Sequence, residues 1–170
     1  MINPFVIAID GRATAGKTTY AKELANATGA SIIHMDDFFL PAELRTPERL
    51  TEPGGNIHYE RFAEEVLLRL RWGVAFSYKI FNCKIMDYDG VRDIFPTPWI
   101  IVEGAYSHHP FFGEYMDLRI FKDIDAVTQF QRILERDGEA KANIFATEWI
   151  PLEEKYLSVY NIREMSRLVL

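Results

Sequence analysis

Apolar residues along this chain follow two rhythms. Short continuous runs occur at Phe5–Ile9, Ala30–Met35, Trp99–Val102 and Leu118–Ile124, and such runs read as strands buried on both faces. Between them the spacing changes to the three-to-four-residue step of an amphipathic helix. Ala21, Leu24 and Ala25 mark a helix over Lys17–Thr28, stopped by Gly29. Phe62, Val66, Leu67 and Leu70 mark another over Tyr59–Trp72, with Glu65 and Arg69 spaced i, i+4 and Gly73 closing it. Further helices are predicted over Ala126–Asp137, after Gly138 over Glu139–Trp149, and over Pro151–Tyr160, with a closing strand at Ser166–Leu170. Strand, helix and strand in that order imply a right-handed parallel βαβ unit. The fold class is α/β, and ligands of such sheets bind outside the carboxyl ends of the strands.

Two stretches break the rhythm. Residues 38–56 are rich in Pro, Gly and charge without a sustained period, and read as a long loop over the site. Arg45 and Arg49 lie in it; either can meet a phosphate, although scattered surface charges are the commoner case. Val74–Pro98 alternates loosely and reads as a β-hairpin with Asp87–Gly90 as its turn.

Composition narrows the class. The 170 residues, 48% hydrophobic and 26% charged, suit a single domain over 1–170 that buries a core. Nineteen Lys and Arg stand against 25 Asp and Glu, a net charge of −6. With no basic face to replace phosphate counterions, nucleic acid is not the expected partner. The one cysteine, Cys83, excludes an intrachain disulfide and suits a reducing cytosol. The chain enters a strand at once, without a secretory leader, and no apolar run reaches membrane-spanning length. A cytoplasmic protein with no membrane partner is expected, and self-association is left open. His108 and His109 are adjacent, so their side chains point apart and make a poor chelate.

The chemistry is concentrated after the first strand. Gly11, Arg12, Ala13, Thr14, Ala15, Gly16, Lys17 and Thr18 spell G-x-x-x-x-G-K-[ST], and strand before and helix after give that pattern its required context. Loop amides and the positive end of the helix, through Thr19, converge on phosphate oxygens. Lys17 adds a point charge, and the Thr18 hydroxyl can sit on Mg²⁺. The second strand ends on Asp36 and Asp37, on the same sheet edge, where carboxylates serve as a base for a hydroxyl or as Mg²⁺ ligands; the plainer alternative is a solvated turn or cap. Glu103 ends the third strand, the place of a Walker B acid. Arg132 and Arg136, one turn apart, fall where a lid would close on phosphates, or else are solvated arginines paired with Glu135 or Asp137. Asp87–Gly90 also fits D-x-x-G, but it precedes a strand and no N-K-x-D follows, which argues against a GTPase.

The strings IAIDGRATAGKTT, HMDDFFLP, EPGGNIHYERF, IIVEGAYSHHP and WIPLEEKY together resemble the uridine kinase branch of the P-loop kinases, which also contains nicotinamide riboside kinases. The resemblance implies a five-stranded parallel sheet flanked by helices, a lid over about 132–150, and ATP- and Mg²⁺-dependent phosphorylation of a small nucleoside-like acceptor. It puts Lys17 and Thr18 on the phosphate and Mg²⁺ contacts, and Asp36 on the base that takes the hydroxyl proton. Glu103 falls on the Walker B acid, Asp37 on a cap or water-mediated Mg²⁺ contact, and Arg132 and Arg136 on the lid arginines. Asp36, His58, Tyr59, Arg61 and Tyr78 become the substrate-side candidates. Departures are Thr14 where relatives have Gly, His58 where an Asp would hold the sugar hydroxyls, a lid stretch Ala140–Thr147 without further arginines, and no histidine after Tyr78. The alternatives are a nucleotide-binding protein of this fold with little kinase activity, and a kinase of another alcohol such as pantothenate or a sugar.

Overall fold

Continuous burial along the central strands sets the architecture. In the computed structural model, which describes residues 3–170, the strands are β1 (Phe5–Gly11), β2 (Ser31–His34), β3 (Phe76–Asn82), β4 (Asp87–Ile94), β5 (Trp99–Glu103), β6 (Leu118–Lys122) and β7 (Leu168–Val169). Five form one sheet in the order β2-β5-β1-β6-β7, every pair parallel. Ile7, Ile9, Ile101 and Ile120 pack on one face against Ala21 and Leu24 of helix α1 (Lys17–Thr28). Val6, Ile33, Ile100, Val102 and Phe121, of the other parity, pack against Phe62, Val66 and Leu70 of helix α3 (59–72), after the short α2 (Pro47–Thr51), and against Tyr156 and Leu157. Both faces are covered, so the strands are apolar throughout. Truncating a fully buried member such as Ile101 to Ala would cost about 2–5 kcal/mol.

The helices depart from the expected lengths in one instructive place. Helix α3 runs through 59–72 with a wide turn over Ala63–Leu67. Helix α4 (Ala126–Asp137) is capped by Asp125, whose side chain accepts from the Thr128 amide at 3.0 Å. After Gly138, helix α5 is continuous through 139–159, where the sequence predicts two helices broken near Pro151. A wide turn over Phe145–Trp149 precedes the proline, and such a turn accommodates the hydrogen bond that a proline cannot make.

The excursion at 74–98 is the antiparallel hairpin β3–β4, but its turn is Cys83–Met86, not Asp87–Gly90. The Lys84 amide donates to the Asn82 side chain at 2.9 Å and Met86 takes φ 55°, so a side-chain-closed turn forms one step earlier. Asp87–Gly90 is then drawn into β4, where a register shift between Lys79 and Phe81 is absorbed opposite Gly90. Among the described residues no helix is long and apolar enough to cross a membrane.

Candidate active site

Parallel pairing brings the ends of four strands to one edge. Ile9 and His34 both pair with Glu103, and Gly11 pairs with Lys122. A cavity of about 1010 Å³ opens at this edge. Its first wall is the β1–α1 loop. Gly11 has φ 138°, and a Cβ there would lie 2.0 Å from the Lys122 carbonyl oxygen, so no side chain fits. Asp10, fully buried, fixes the loop's entry by accepting from the amides of Gly11 (2.7 Å), Tyr106 (3.1 Å) and His108 (2.9 Å) and from the Tyr156 hydroxyl (2.7 Å). Thr14 takes φ 61°, a left-handed conformation that glycine adopts freely and a β-branched residue adopts under strain. Its hydroxyl donates to the Ala13 carbonyl at 2.7 Å, and Arg132 donates to the Thr14 carbonyl at 3.0 Å.

The loop's charges are already engaged. Lys17 Nζ donates to the carbonyls of Gly11 and Arg12 at 2.8 Å each. Arg12 is turned outward into ion pairs with Asp123 and Glu154. The Ala13 amide donates to Glu153 Oε2 at 2.8 Å, and Gln129 Nε2 donates to Glu153 Oε1 at 3.0 Å. Glu153 is 5% exposed; burial pushes its carboxyl up to about 7, with Lys17 and these hydrogen bonds opposing. The amides of Lys17, Thr18 and Thr19 open α1 and have no partner within it. Lys17, Thr18 and Thr19 line the cavity, as do Ala13, Thr14 and Gly16, while Ala15 is buried.

Two carboxylates complete the floor. Glu103, 3% exposed, accepts from Thr18 Oγ1 at 3.0 Å and pairs with His34 Nδ1. A hydroxyl and a carboxylate oxygen side by side are the hard donors that Mg²⁺ takes, with phosphate oxygens and waters for the remainder. Among the described residues no group of three acidic, His or Cys side chains forms a metal cage. An ion held only by Thr18 and Glu103 would depend on its ligand's phosphates.

Asp36 and Asp37 point into different surroundings, because a tight turn over Met35–Phe38 separates them. Asp36 is open to solvent through the cavity it lines. Desolvation by the surrounding protein raises its carboxyl, Lys17 opposes that, and Glu103 adds to it. Asp37 is 8% exposed and does not line the cavity; it accepts from the Tyr78 hydroxyl and from Arg92 Nε, both at 2.9 Å. The Mg²⁺ contact expected of Asp37 has no geometric basis here, since both its partners lie in the hairpin.

The substrate-side expectations divide in the same way, for of them only Asp36 lines the cavity. Tyr78 is 2% exposed, packed on Phe38 at 4.9 Å between ring centroids. Arg61, 7% exposed, donates to the carbonyls of Lys79 (2.8 Å) and Asp37. Tyr59 stacks on His109 at 4.9 Å and donates to Glu52 at 2.8 Å. His58 precedes α3, its amide bonded to the Phe38 carbonyl at 2.8 Å and its ring Nδ1 buried. These four hold the loop 38–56 and the hairpin to the core. Phe39, Arg45, Asn56, Cys83 and Trp149 form the cavity wall instead, and folding alone assembles them. Arg132 and Arg136 both line the cavity; Arg136 is paired with Asp137 at 2.7 Å.

No protein-family model matches the chain. It is 30% identical over 142 residues to uridine kinase-like protein 4 of Arabidopsis thaliana, covering 79% of this chain and 30% of that one. Against the uridine kinase of Chlamydia pneumoniae it is 26% identical over 152 residues, covering 84% of this chain and 68% of that one. The chain thus spans about a third of the length of the plant proteins it matches. Its fold matches the solved structure of a possible uridine kinase from Bacillus stearothermophilus, with a TM-score of 0.74 and 16% identity over all of this chain and 90% of that one.

Proposed function

From its likeness to the uridine kinase-like branch of the P-loop kinases, we propose that this chain is a phosphotransferase that uses Mg-ATP to phosphorylate a hydroxyl of a small molecule. The reading rests chiefly on one juxtaposition: the loop 11–18, the Thr18–Glu103 pair and the solvent-accessible Asp36 share a single cavity. When bound, ATP supplies the phosphoryl group and Mg²⁺ neutralises its charge. Everything else falls to the chain's own residues. The first amides of α1 and Lys17 orient the phosphates, and Lys17 has only to leave two loop carbonyls to do so. Thr18 and Glu103 would hold the ion. Asp36 accepts the acceptor's hydroxyl proton, and its raised carboxyl makes it a better base than an aspartate titrating in the ordinary range. Arg132, already bonded to the loop at Thr14, and Arg136 would close from a lid over about 132–150.

Relatives named uridine kinase make nucleosides the first acceptors to test. A second reading, an alcohol of another kind, is favoured by the placement of Tyr78 and His58, which are committed to the core and the loop rather than to the cavity. ADP formation that depends on adding one member of a nucleoside, vitamin and sugar panel, and that is lost in Lys17→Ala, supports the kinase reading. ATP binding with no acceptor-dependent turnover on any member would leave a nucleotide-binding protein of this fold.

A further inference from the structure

The two arginines of loop 38–56 have opposite fates. Arg49 is consumed by structure: its guanidinium donates to both oxygens of Glu60 (2.6 and 2.9 Å) and to the carbonyls of Gly55 (2.9 Å) and Ile57 (3.0 Å). Arg45 lines the cavity. Its Nε donates to the Leu40 carbonyl at 2.7 Å, and its guanidinium lies 5.8 Å from the Trp149 ring centroid. Among the described residues no carboxylate lies within ion-pair distance of it. In a chain with net charge −6, a half-buried guanidinium without an acid partner is a cost that a bound anion would offset. Its two terminal nitrogens keep the planar fork that grips a carboxylate or phosphate bidentately.

Arg45 is also near the chemistry. Arg45, Cys83 and Asp36 line one and the same cavity, so the guanidinium and the base candidate open into a shared space. Asn56 lines the same cavity, 3% exposed, with its side-chain oxygen buried and unpartnered. We propose that the acceptor is an alcohol that also carries a carboxylate or a phosphate, and that Arg45 holds this anion while Asp36 faces the hydroxyl to be phosphorylated. The proposal rests on the phosphotransfer reading and moves the acceptor away from neutral nucleosides.

The test uses a panel of hydroxy acids and phosphorylated alcohols beside neutral nucleosides and sugars, with wild type, Arg45→Gln and Arg45→Lys. Anion-bearing members should be the better acceptors. Arg45→Gln should raise the acceptor KM about 10- to 100-fold with less effect on kcat, as expected for loss of a charge-assisted fork. Arg45→Lys should recover part of the loss, because it restores charge without the fork. Separate carboxylate and phosphate arms show which anion is preferred. A neutral acceptor whose KM ignores Arg45→Gln overturns the proposal, and so does a rise in the ATP KM alone, which would assign Arg45 to the nucleotide. Should no member be turned over, the phosphotransfer reading fails, and calorimetric titration of the anionic members into ADP-bound protein decides the inference separately. Binding that Arg45→Gln abolishes sustains it; no binding by any of them refutes it.

Discussion

The two walls of the cavity are made of different material. The 11–18 wall is chiefly backbone: helix-opening amides, a lysine resting on loop carbonyls and a glycine that admits no Cβ. The facing residues of loop 38–56, the hairpin turn and α5 are side chains: Arg45, Asn56, Cys83 and Trp149. A backbone wall recognises any phosphate chain and tolerates changes in the side chains beside it. A side-chain wall can be respecified by one substitution. On the proposed reading, the fold therefore fixes the phosphoryl donor more firmly than the acceptor.

Asp36 and Asp37 give the comparison its sharpest test, with the largest expected effect. Asp36→Asn keeps shape and removes the base, and should cut acceptor-dependent turnover by about 10²–10⁴-fold with ATP binding nearly intact. With Asp36 unaltered, turnover should rise with pH through a carboxyl titration above the ordinary aspartate range, because desolvation by the protein around the cavity raises that group. Asp37→Asn should act on stability instead. It weakens the Arg92 and Tyr78 bonds, for about 1–3 kcal/mol by denaturant unfolding. Equal kinetic losses at both positions would dissolve the distinction.

Next in size is the buried carboxylate behind the loop. Glu153 titrates near 7 folded against 4.5 unfolded. Between those values the folded state holds a proton that the unfolded state has lost, so this group's contribution falls as pH rises. The loss should reach about 3 kcal/mol by the end of that window. Unfolding of wild type and Glu153→Gln at pH 5 and pH 8 isolates it: wild type should lose that amount relative to the variant. A pH-independent difference would mean that Glu153 is not buried as described.

These residues also show what could be read in advance. The loop 11–18, the four main strands and Glu103 were legible because their signals are contiguous: an apolar run, a glycine pattern, an acid at a strand end. The residue pattern by itself marked Asp36 only as one of a pair, and the family resemblance singled it out; the tight turn at Met35–Phe38 is what turns one carboxylate and not the other to the cavity. Tyr78, Tyr59 and Arg61 carried the polar groups expected of a binding site, yet packing spent those groups on Asp37, Glu52 and backbone carbonyls, while the His58 ring Nδ1 is buried without a partner. Arg45 could be read only as one of two loop arginines able to meet a phosphate, and Asn56 carried no signal, because what distinguishes both is a missing partner. Glu153 lay in WIPLEEKY, where nothing in the spacing told a buried loop anchor from its half-exposed neighbour Glu154.

On the backbone wall, Lys17→Ala should weaken ATP binding by about 1.5–3 kcal/mol, the net worth of a charge-assisted contact. Titration calorimetry reads this directly. The loop amides remain, so binding should be reduced rather than abolished. An unchanged affinity would remove the nucleotide from this loop altogether.

The smallest effects should come from the two arginines between the walls, and they should differ from each other. Arg132 is tied to the loop through the Thr14 carbonyl at 3.0 Å and has no carboxylate partner among the described residues. Its guanidinium is positioned before any ligand arrives. Arg136 is half exposed and already paired with Asp137 through both Nε and Nη2, at 2.9 and 2.7 Å. Exposed pairs of that kind are worth about 0–1 kcal/mol, so redirecting Arg136 toward a phosphoryl group would gain little over what it gives up. Arg132→Ala should therefore lower kcat about tenfold with a smaller change in ATP affinity, the mark of a contact made in the transition state. Arg136→Ala should change kcat by less than about threefold, within what an exposed pair contributes. Initial rates for the two variants, at saturating ATP and with the best acceptor found, decide between them. A larger loss at Arg136 would mean that the lid moves further on closing than its present contacts suggest, and no loss at either would leave both as surface charges.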